Sequence, residues 1–246
     1  DNRYFILTLF SAAKELEAAG KFTSFEQIDL AVGLPPEHYG SLKSKFAQYF
    51  KKPDPVRFVY KDKPIQIMIR NVLVYPQAYA AVIPHASQLL HTVRMFIIDI
   101  GGYTTDVLLL RNGKPDLQFC RSLEMGVITM NNEIIRKVSA LHDMKIEDDH
   151  ISAVLRGEKT ILPADVVETI RQATQMHTKD TLNKLRELQV DLRSNPAIFI
   201  GGGSILFRDF LEKSSLVAQA EFVEDPKANA VGYQILAKKQ LGYPLI

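Results

Sequence analysis

Cysteine is almost absent from this 246-residue chain: Cys120 is the only one, so no internal disulfide can form, and the usage fits a reducing cytosol and equally a secreted protein without disulfides. No apolar run reaches the ~18–20 residues that a membrane helix needs, and no stretch has the pattern of a signal peptide. Neither sign of charge dominates, with 30 Lys and Arg against 28 Asp and Glu, so no global field calls for direct contact with nucleic acid or anionic lipid. The Gly-x-Ser-x-Gly elbow, the Walker loop and the Gly-x-Gly-x-x-Gly fingerprint are all missing, which removes support for a serine hydrolase, a P-loop NTPase or a Rossmann dehydrogenase. The six histidines show no metal-ligand spacing with one another or with Cys120, and there is no repeat or low-complexity tract. With 46% hydrophobic and 24% charged residues, the chain reads as a soluble globular protein of one large domain or two smaller ones.

The periodicities predict alternating helices and strands. Tyr4–Ala19 places Phe5, Leu9, Ala12, Ala13 and Leu16 on one helical face, with Gly20 at the C-cap. A strand at Gln27–Leu34 is ended by Pro35–Pro36, and a helix covers Glu37–Phe50. Three β-type runs follow, Val56–Tyr60, Pro64–Arg70 and Val72–Tyr75, and then a helix over Gln77–Leu90 with Gln77 in its first turn and a break at Pro84. From Met95 the order is strand, strand, strand, helix: an apolar run into Asp99, a second run after Thr105, a third at Leu117–Leu123 beyond the Asn112–Gly113 turn, and a helix at Val127–Leu141. Lys145–Leu162 reads as charged and irregular, and Pro163–Leu188 as a long helix. Ala197–Ile200 is a short buried strand, Gly201–Ser204 a loop, Ile205–Lys213 a helix, Ala220–Val223 a last strand and Pro226–Leu241 a last helix.

Two glycine-rich turns carry the chemistry. Asp99 ends an apolar strand, where a carboxylate is costly to bury without a partner. A hydrated Mg²⁺ is a suitable partner, because magnesium is commonly held by one or two carboxylates plus substrate phosphates. Gly101 and Gly102 let the backbone approach an anion, and Thr104 adds a hydroxyl. A lone D-x-G-G is more often a plain polar turn; the full D-x-G-G-x-T-x-D of Asp99–Asp106 inside strand–turn–strand favours an anion site. Gly201, Gly202, Gly203 and Ser204, between a strand and a helix, read as a loop on which a phosphate or nucleotide lies, although glycine triplets also make flexible turns. Gln77 alone reads as solvated, yet a glutamine can orient water on a γ-phosphate, as one does in small GTPases. Tyr103 and Phe207 flank the two turns and could pack on a base, or belong to the core.

Taken in order, Tyr75-Pro-Gln-Ala-Tyr-Ala-Ala81, Asp99-Ile-Gly-Gly-Tyr-Thr-Thr-Asp106, Glu124-Met-Gly-Val127 and Ile200-Gly-Gly-Gly-Ser204 resemble the actin-like ATPases, and most closely the bacterial plasmid-segregation actins of the ParM/StbA family. Ile28–Tyr39 and Asp225–Gly232 extend the likeness, so that it covers nearly the whole chain. The resemblance implies an α/β, actin-like (ribonuclease H-like) fold with two lobes around a nucleotide cleft. Residues 1–90 would be the remainder of the first lobe, 91–225 the second, and 226–246 a returning connecting helix.

It also implies ATP and Mg²⁺ as ligands. Gln77 would position the attacking water, and Asp99 would hold the metal or polarise the nucleophile. Gly101, Gly102 and Thr104 would bind the β- and γ-phosphates, Gly201–Ser204 the α-phosphate and nucleoside, and Gly126 would lie near the ribose, with Tyr103 and Glu124 also at the nucleotide. The family's first phosphate hairpin, D-x-G-x-x-x-x-K, is not found in residues 1–60, and the chain starts at Asp1, so the first lobe is expected to be incomplete at its N-terminus. The function implied is ATP hydrolysis by a cytoplasmic protein that self-associates head to tail into filaments and segregates plasmid or phage DNA through a DNA-bound adaptor, without contacting nucleic acid or membrane itself. A metabolic or chaperone-type ATPase or kinase of the same superfamily, and a scaffold with weakened catalysis, are the alternatives.

Overall fold

The computed structural model describes residues 2–21, 24–84, 92–225 and 227–244. In chain order its elements are α1 (Arg3–Ala18), β1 (Phe25–Leu34), α2 (Pro36–Phe50), β2 (Val56–Tyr60), β3 (Lys63–Pro76), α3 (Tyr79–Val82), β4 (Arg94–Ile100), β5 (Thr105–Arg111), β6 (Lys114–Leu123), α4 (Val127–His142), α5 (Asp148–Leu155), α6 (Ala164–Glu187), β7 (Ala197–Ile200), α7 (Gly202–Glu212), β8 (Ala220–Phe222) and α8 (Ala228–Leu241).

Among the described residues the strands form two sheets, a three-stranded one ordered β1-β3-β2 and a five-stranded one ordered β6-β5-β4-β7-β8. In the larger sheet β4–β5–β6 is an antiparallel meander, while β7 runs parallel to β4 and β8 parallel to β7. Apolar residues alternate between its two faces, as the two-residue repeat of a strand requires. Phe96, Ile98, Ile100, Val107 and Leu109 pack with α4, α5, α6 and α7. Met95, Ile97, Leu108 and Leu110 pack with Ala78, Ala81 and Val82 beneath α3 and with Ala228 of α8. A sheet covered on both faces explains why β4 and β5 read as nearly continuous apolar runs. The smaller sheet is covered by α1, whose Ala13, with Phe5 and Leu16, meets Tyr60, Ile65 and Ile67.

Helix α8 ties the two sheets together. Ala228 enters the core of the larger one, while Tyr233 stacks on Tyr75 of β3 at a ring separation of 6.3 Å. Tyr75 also donates to Gln240, and beyond the helix Tyr243 donates to Asp29 of β1. The crossing with α3 is so close that a Cβ on Gly232 would lie 1.8 Å from the Ala80 carbonyl oxygen. No helix of the described residues is long and apolar enough to cross a membrane.

Four local expectations are corrected. The two runs expected at Pro64–Arg70 and Val72–Tyr75 are one strand, β3, with the register irregularity at Ile28/Asp29 of its partner β1. Of the expected helix over Gln77–Leu90, the described part begins later, with Gln77 in a turn and α3 at Tyr79–Val82; its remainder, 85–90, lies outside the described residues, as does Pro226 at the start of the last helix. The stretch expected to be irregular, Lys145–Leu162, contains α5, whose Ile151 and Val154 are buried. Gly202, Gly203 and Ser204 belong to the first turn of α7 rather than to a loop before it.

Candidate functional site

The antiparallel β4–β5 hairpin and the parallel β4–β7 pair bring two turns to the same end of the sheet. Asp99 lies opposite Asp106 across the hairpin and beside Ile200 of β7, one residue before Gly201. The tip is closed by the Gly101 N–H donating to the Thr104 carbonyl at 2.8 Å. The N–H groups of Gly102, Tyr103 and Thr104 make no hydrogen bond to the described residues, so they remain available to an anion. The Thr104 hydroxyl donates to Asp106 at 3.0 Å.

The tip rests on α4. Its Gly101 and Gly102 carbonyls accept from the Val127 and Ile128 N–H groups at 3.0 and 2.7 Å, satisfying donors that a helix start leaves open. Gly126 is the N-cap, and a Cβ there would lie 2.4 Å from the Gly102 carbonyl oxygen, which explains its glycine. The buried Thr105 hydroxyl holds the Met125 carbonyl at 2.6 Å.

The second turn is packed on the first. Gly201 has φ +85°, a left-handed conformation that favours glycine, and its Cβ position is 2.4 Å from Asp99 Oδ1. At Gly203 a Cβ would strike Ile100 Cγ2 at 2.3 Å and Val127 Cγ2 at 2.9 Å. Gly202 alone faces open space, with nothing within 4 Å of its Cβ position. The N-terminus of α7, with its open N–H groups and positive dipole end, thus adjoins the Asp99 carboxylate. Ser204 does not point to this opening; its hydroxyl is buried and donates to the Gly201 carbonyl at 2.7 Å. A cavity of about 160 Å³ beside the turn is lined by Gly201, Gly202, Ile205, Asp225 and Asn229 among others.

No cation among the described residues offsets the charge of Asp99. Burial, and secondly the negative charge of Asp106, push the Asp99 carboxyl up to about 6. Two carboxylates facing each other across a hairpin beside open N–H groups are a fit for a hard cation that also meets phosphate oxygens. Among the described residues no group of three or more His, Cys, Asp or Glu is arranged to hold a metal, so the remaining ligands of a Mg²⁺ would come from phosphate and water.

Gln77 stands across from this wall, half-buried, in a turn rather than in a helix. Ala78 has φ +63° and ψ −55°, and the Tyr79 N–H donates to the Gln77 carbonyl at 2.6 Å: a γ-turn of the rare, strained kind. Its ends are pinned, since the Gln77 N–H donates to the Leu34 carbonyl at 2.8 Å and the Ala78 N–H to Asn229 Oδ1 at 3.0 Å. Gln77 and Tyr233, a residue that sequence reasoning passed over, come together at Gly33. The Cβ position of Gly33 lies 1.8 Å from the Tyr233 hydroxyl oxygen and 3.0 Å from Gln77 Cγ. Burial, with the Asp99 charge, raises the pKa of that hydroxyl above its usual range. The stretch Asp225–Gly232, singled out in the sequence, ends one residue before Tyr233.

The structure therefore brings together Asp99, Gly101, Gly102, Tyr103, Thr104, Gly126, Gly201, Gly202 and Gly203, while Gln77 lies with Tyr233 at Gly33. Tyr103 is 68% exposed at the tip and free to face a ligand, whereas Phe207 is a core residue. Glu124 is exposed beyond the end of β6.

Two sequence families match the chain: the actin-like protein N-terminal domain over residues 2–79, and the archaeal MreB-like actin homologue C-terminal region over residues 97–213. No curated protein matches it. Among solved structures an archaeal actin homologue, known also as a complex with ADP, aligns with TM-score 0.70 at 22% identity, covering 93% of this chain and 75% of the other. The apo psk41 ParM protein aligns with TM-score 0.72 at 16% identity, covering 96% and 70%. A 15-stranded ParM filament from Clostridium botulinum gives 0.63 at 18% identity, covering 93% and 73%. The likeness to these structures establishes the actin-like fold, two lobes about a cleft. With the two family matches in the same order over residues 2–79 and 97–213, this chain is similar to the actin-like proteins along most of its length and has their fold.

Proposed function

We propose that this protein binds ATP and Mg²⁺ between its two lobes, hydrolyses the γ-phosphate and assembles head to tail into filaments. The reading is supported above all by the meeting of the Asp99 carboxylate, the open N–H groups of the 101–104 tip and the α7 N-terminus at one sheet end. Residues 1–90 and 91–225 are taken as the two lobes, with 226–246 returning between them. The N–H groups of Gly102, Tyr103 and Thr104 receive the β- and γ-phosphates, those of Gly202 and Gly203 the α-phosphate, and the path past Gly126 and Glu124 the ribose. Asp99, with Asp106 opposite, holds Mg²⁺, which when bound neutralises phosphate charge. Gln77 orients the attacking water by hydrogen bonding, because phosphoryl transfer asks for positioning and charge stabilisation more than for covalent help.

Solved relatives that bear ADP or form filaments support the same reading. Head-to-tail contacts that do not close on themselves generate open filaments. The near-neutral charge fits a cytoplasmic filament that reaches plasmid or phage DNA through a DNA-bound adaptor. Sedimentation and light scattering test assembly: polymer in MgATP and little in MgADP is expected, and a chain that stays monomeric at high concentration with MgATP overturns the reading.

A further inference from the structure

A second cavity, about 610 Å³, lies between the C-terminal end of α5, the outer face of α6 and the C-terminal end of α7. It is remote from the glycine turns: α7 starts at Gly202 beside Asp99 and reaches Lys213 eleven residues later, about 16 Å away at 1.5 Å per residue. Four cations line it, Arg156, Arg171, Lys179 and Lys213, against one carboxylate, Asp209, in a chain whose charges otherwise nearly cancel.

Part of that charge has a local explanation. Arg156 and Lys213 are the C-caps of α5 and α7, where cations offset the negative dipole ends, and they pair weakly with Glu158 and Asp209, each at 3.7 Å. Arg171 and Lys179 have no such account. Neither has an ion-pair partner among the described residues, and they stand two turns apart on one face of α6, about 12 Å along the helix. Phe210 supplies an apolar wall. A concave site of this size is typical for a small ligand, whereas a macromolecular surface would meet a flatter face.

We propose that the α5–α6–α7 cavity is a binding site for a phosphate-bearing small molecule, held by Arg171 and Lys179 and distinct from the site at Asp99. Chain-like polyphosphate and a nucleoside phosphate share the chemistry, since both present several negative charges along 10 Å or so. The proposal stands whether or not ATP binds at the glycine turns.

The chain contains no tryptophan, so Phe210→Trp provides a single fluorophore inside the cavity. Titration with sodium tripolyphosphate, and separately with ATP, is expected to give a saturable emission change. Arg171→Glu with Lys179→Glu, both exposed positions, is expected to raise the dissociation constant at least tenfold with no change in melting temperature. ATP saturating below tripolyphosphate assigns a nucleoside phosphate, and the reverse an inorganic chain. Adding Gly202→Ala, which alters the distant turn, is expected to leave the titration unchanged. Calorimetry of tripolyphosphate binding to the natural chain and to the Arg171→Glu, Lys179→Glu chain gives the same comparison without the reporter. No saturable signal in either assay, or equal binding by the charge-reversed chain, overturns the proposal.

Discussion

The Tyr233 hydroxyl fills the place where a side chain on Gly33 would stand, 1.8 Å from the Cβ position, with Gln77 Cγ 3.0 Å from the same point. The pair spans the chain from β1 to α8, and Tyr233 is near enough to Asp99 to feel its charge. Tyr233 is itself held by its stack on Tyr75. Gly33→Ala is therefore expected to displace both side chains, lowering ATP turnover about tenfold while costing only about 1–2 kcal/mol of stability. Steady-state hydrolysis and denaturant unfolding check the two halves separately.

Gln77→Ala removes the water-orienting group and leaves the phosphate-binding turns intact. Turnover is expected to fall about 10²-fold with nucleotide affinity nearly unchanged, so filaments formed in ATP should persist for longer. Fluorescent-nucleotide titration together with a pelleting time course measures this. A lost affinity with unchanged turnover per bound nucleotide would reject the assigned role.

Asp99 links stability to pH. Its carboxyl titrates at about 6 in the fold against an ordinary 3.8, so the folded state keeps a proton that the unfolded chain releases. Stability from this group is therefore present below pH 3.8 and is lost as pH rises to about 6. Asp99→Asn is expected to stabilise the ligand-free protein at pH 7 by on the order of 2–3 kcal/mol, to flatten the melting temperature between pH 4 and 6, and to abolish Mg²⁺-dependent hydrolysis. Thermal melts across that window test the sign.

Gly202 and Gly203 should separate cleanly. Gly202→Ala meets nothing within 4 Å, so stability is expected to change by less than about 1 kcal/mol while a methyl group intrudes on the phosphate approach and lowers affinity. Gly203→Ala drives a methyl into Ile100 and Val127 and is expected to cost about 2–3 kcal/mol. Unfolding and nucleotide titrations on the two variants give opposite patterns.

Gly232→Ala places a Cβ 1.8 Å from the backbone oxygen of Ala80, an atom that cannot swing aside. A loss of about 3 kcal/mol is expected, read by denaturant unfolding.

How much of this was visible in sequence depends on range. The Asp99–Asp106 hairpin was legible because its carboxylate, glycines and flanking strands lie within the eighteen residues Arg94–Arg111, and the strands of the larger sheet stood out as apolar runs. Glycine's poor helix propensity misdirected the reading of Gly202 and Gly203, which form the first turn of α7 with Gly203 packed closely on Ile100 and Val127. The γ-turn at Ala78 was hidden because alanine seldom takes positive φ and nothing nearby advertises a turn. Helix α5 was missed because eight residues rich in charge leave only Ile151 and Val154 as a buried signal. Tyr233 was out of reach for a different reason: its neighbours Gly33, Gln77 and Asp99 lie more than a hundred residues away.

The two carbonyls of the hairpin tip that cap α4 make the tip and the helix a single mechanical part. A shift at Gly101 or Gly102 is felt at Val127 and Ile128 in the first turn of α4, whose Met130, Ile134 and Val138 are packed in the core of the larger sheet. What strains the tip therefore strains the packing behind it.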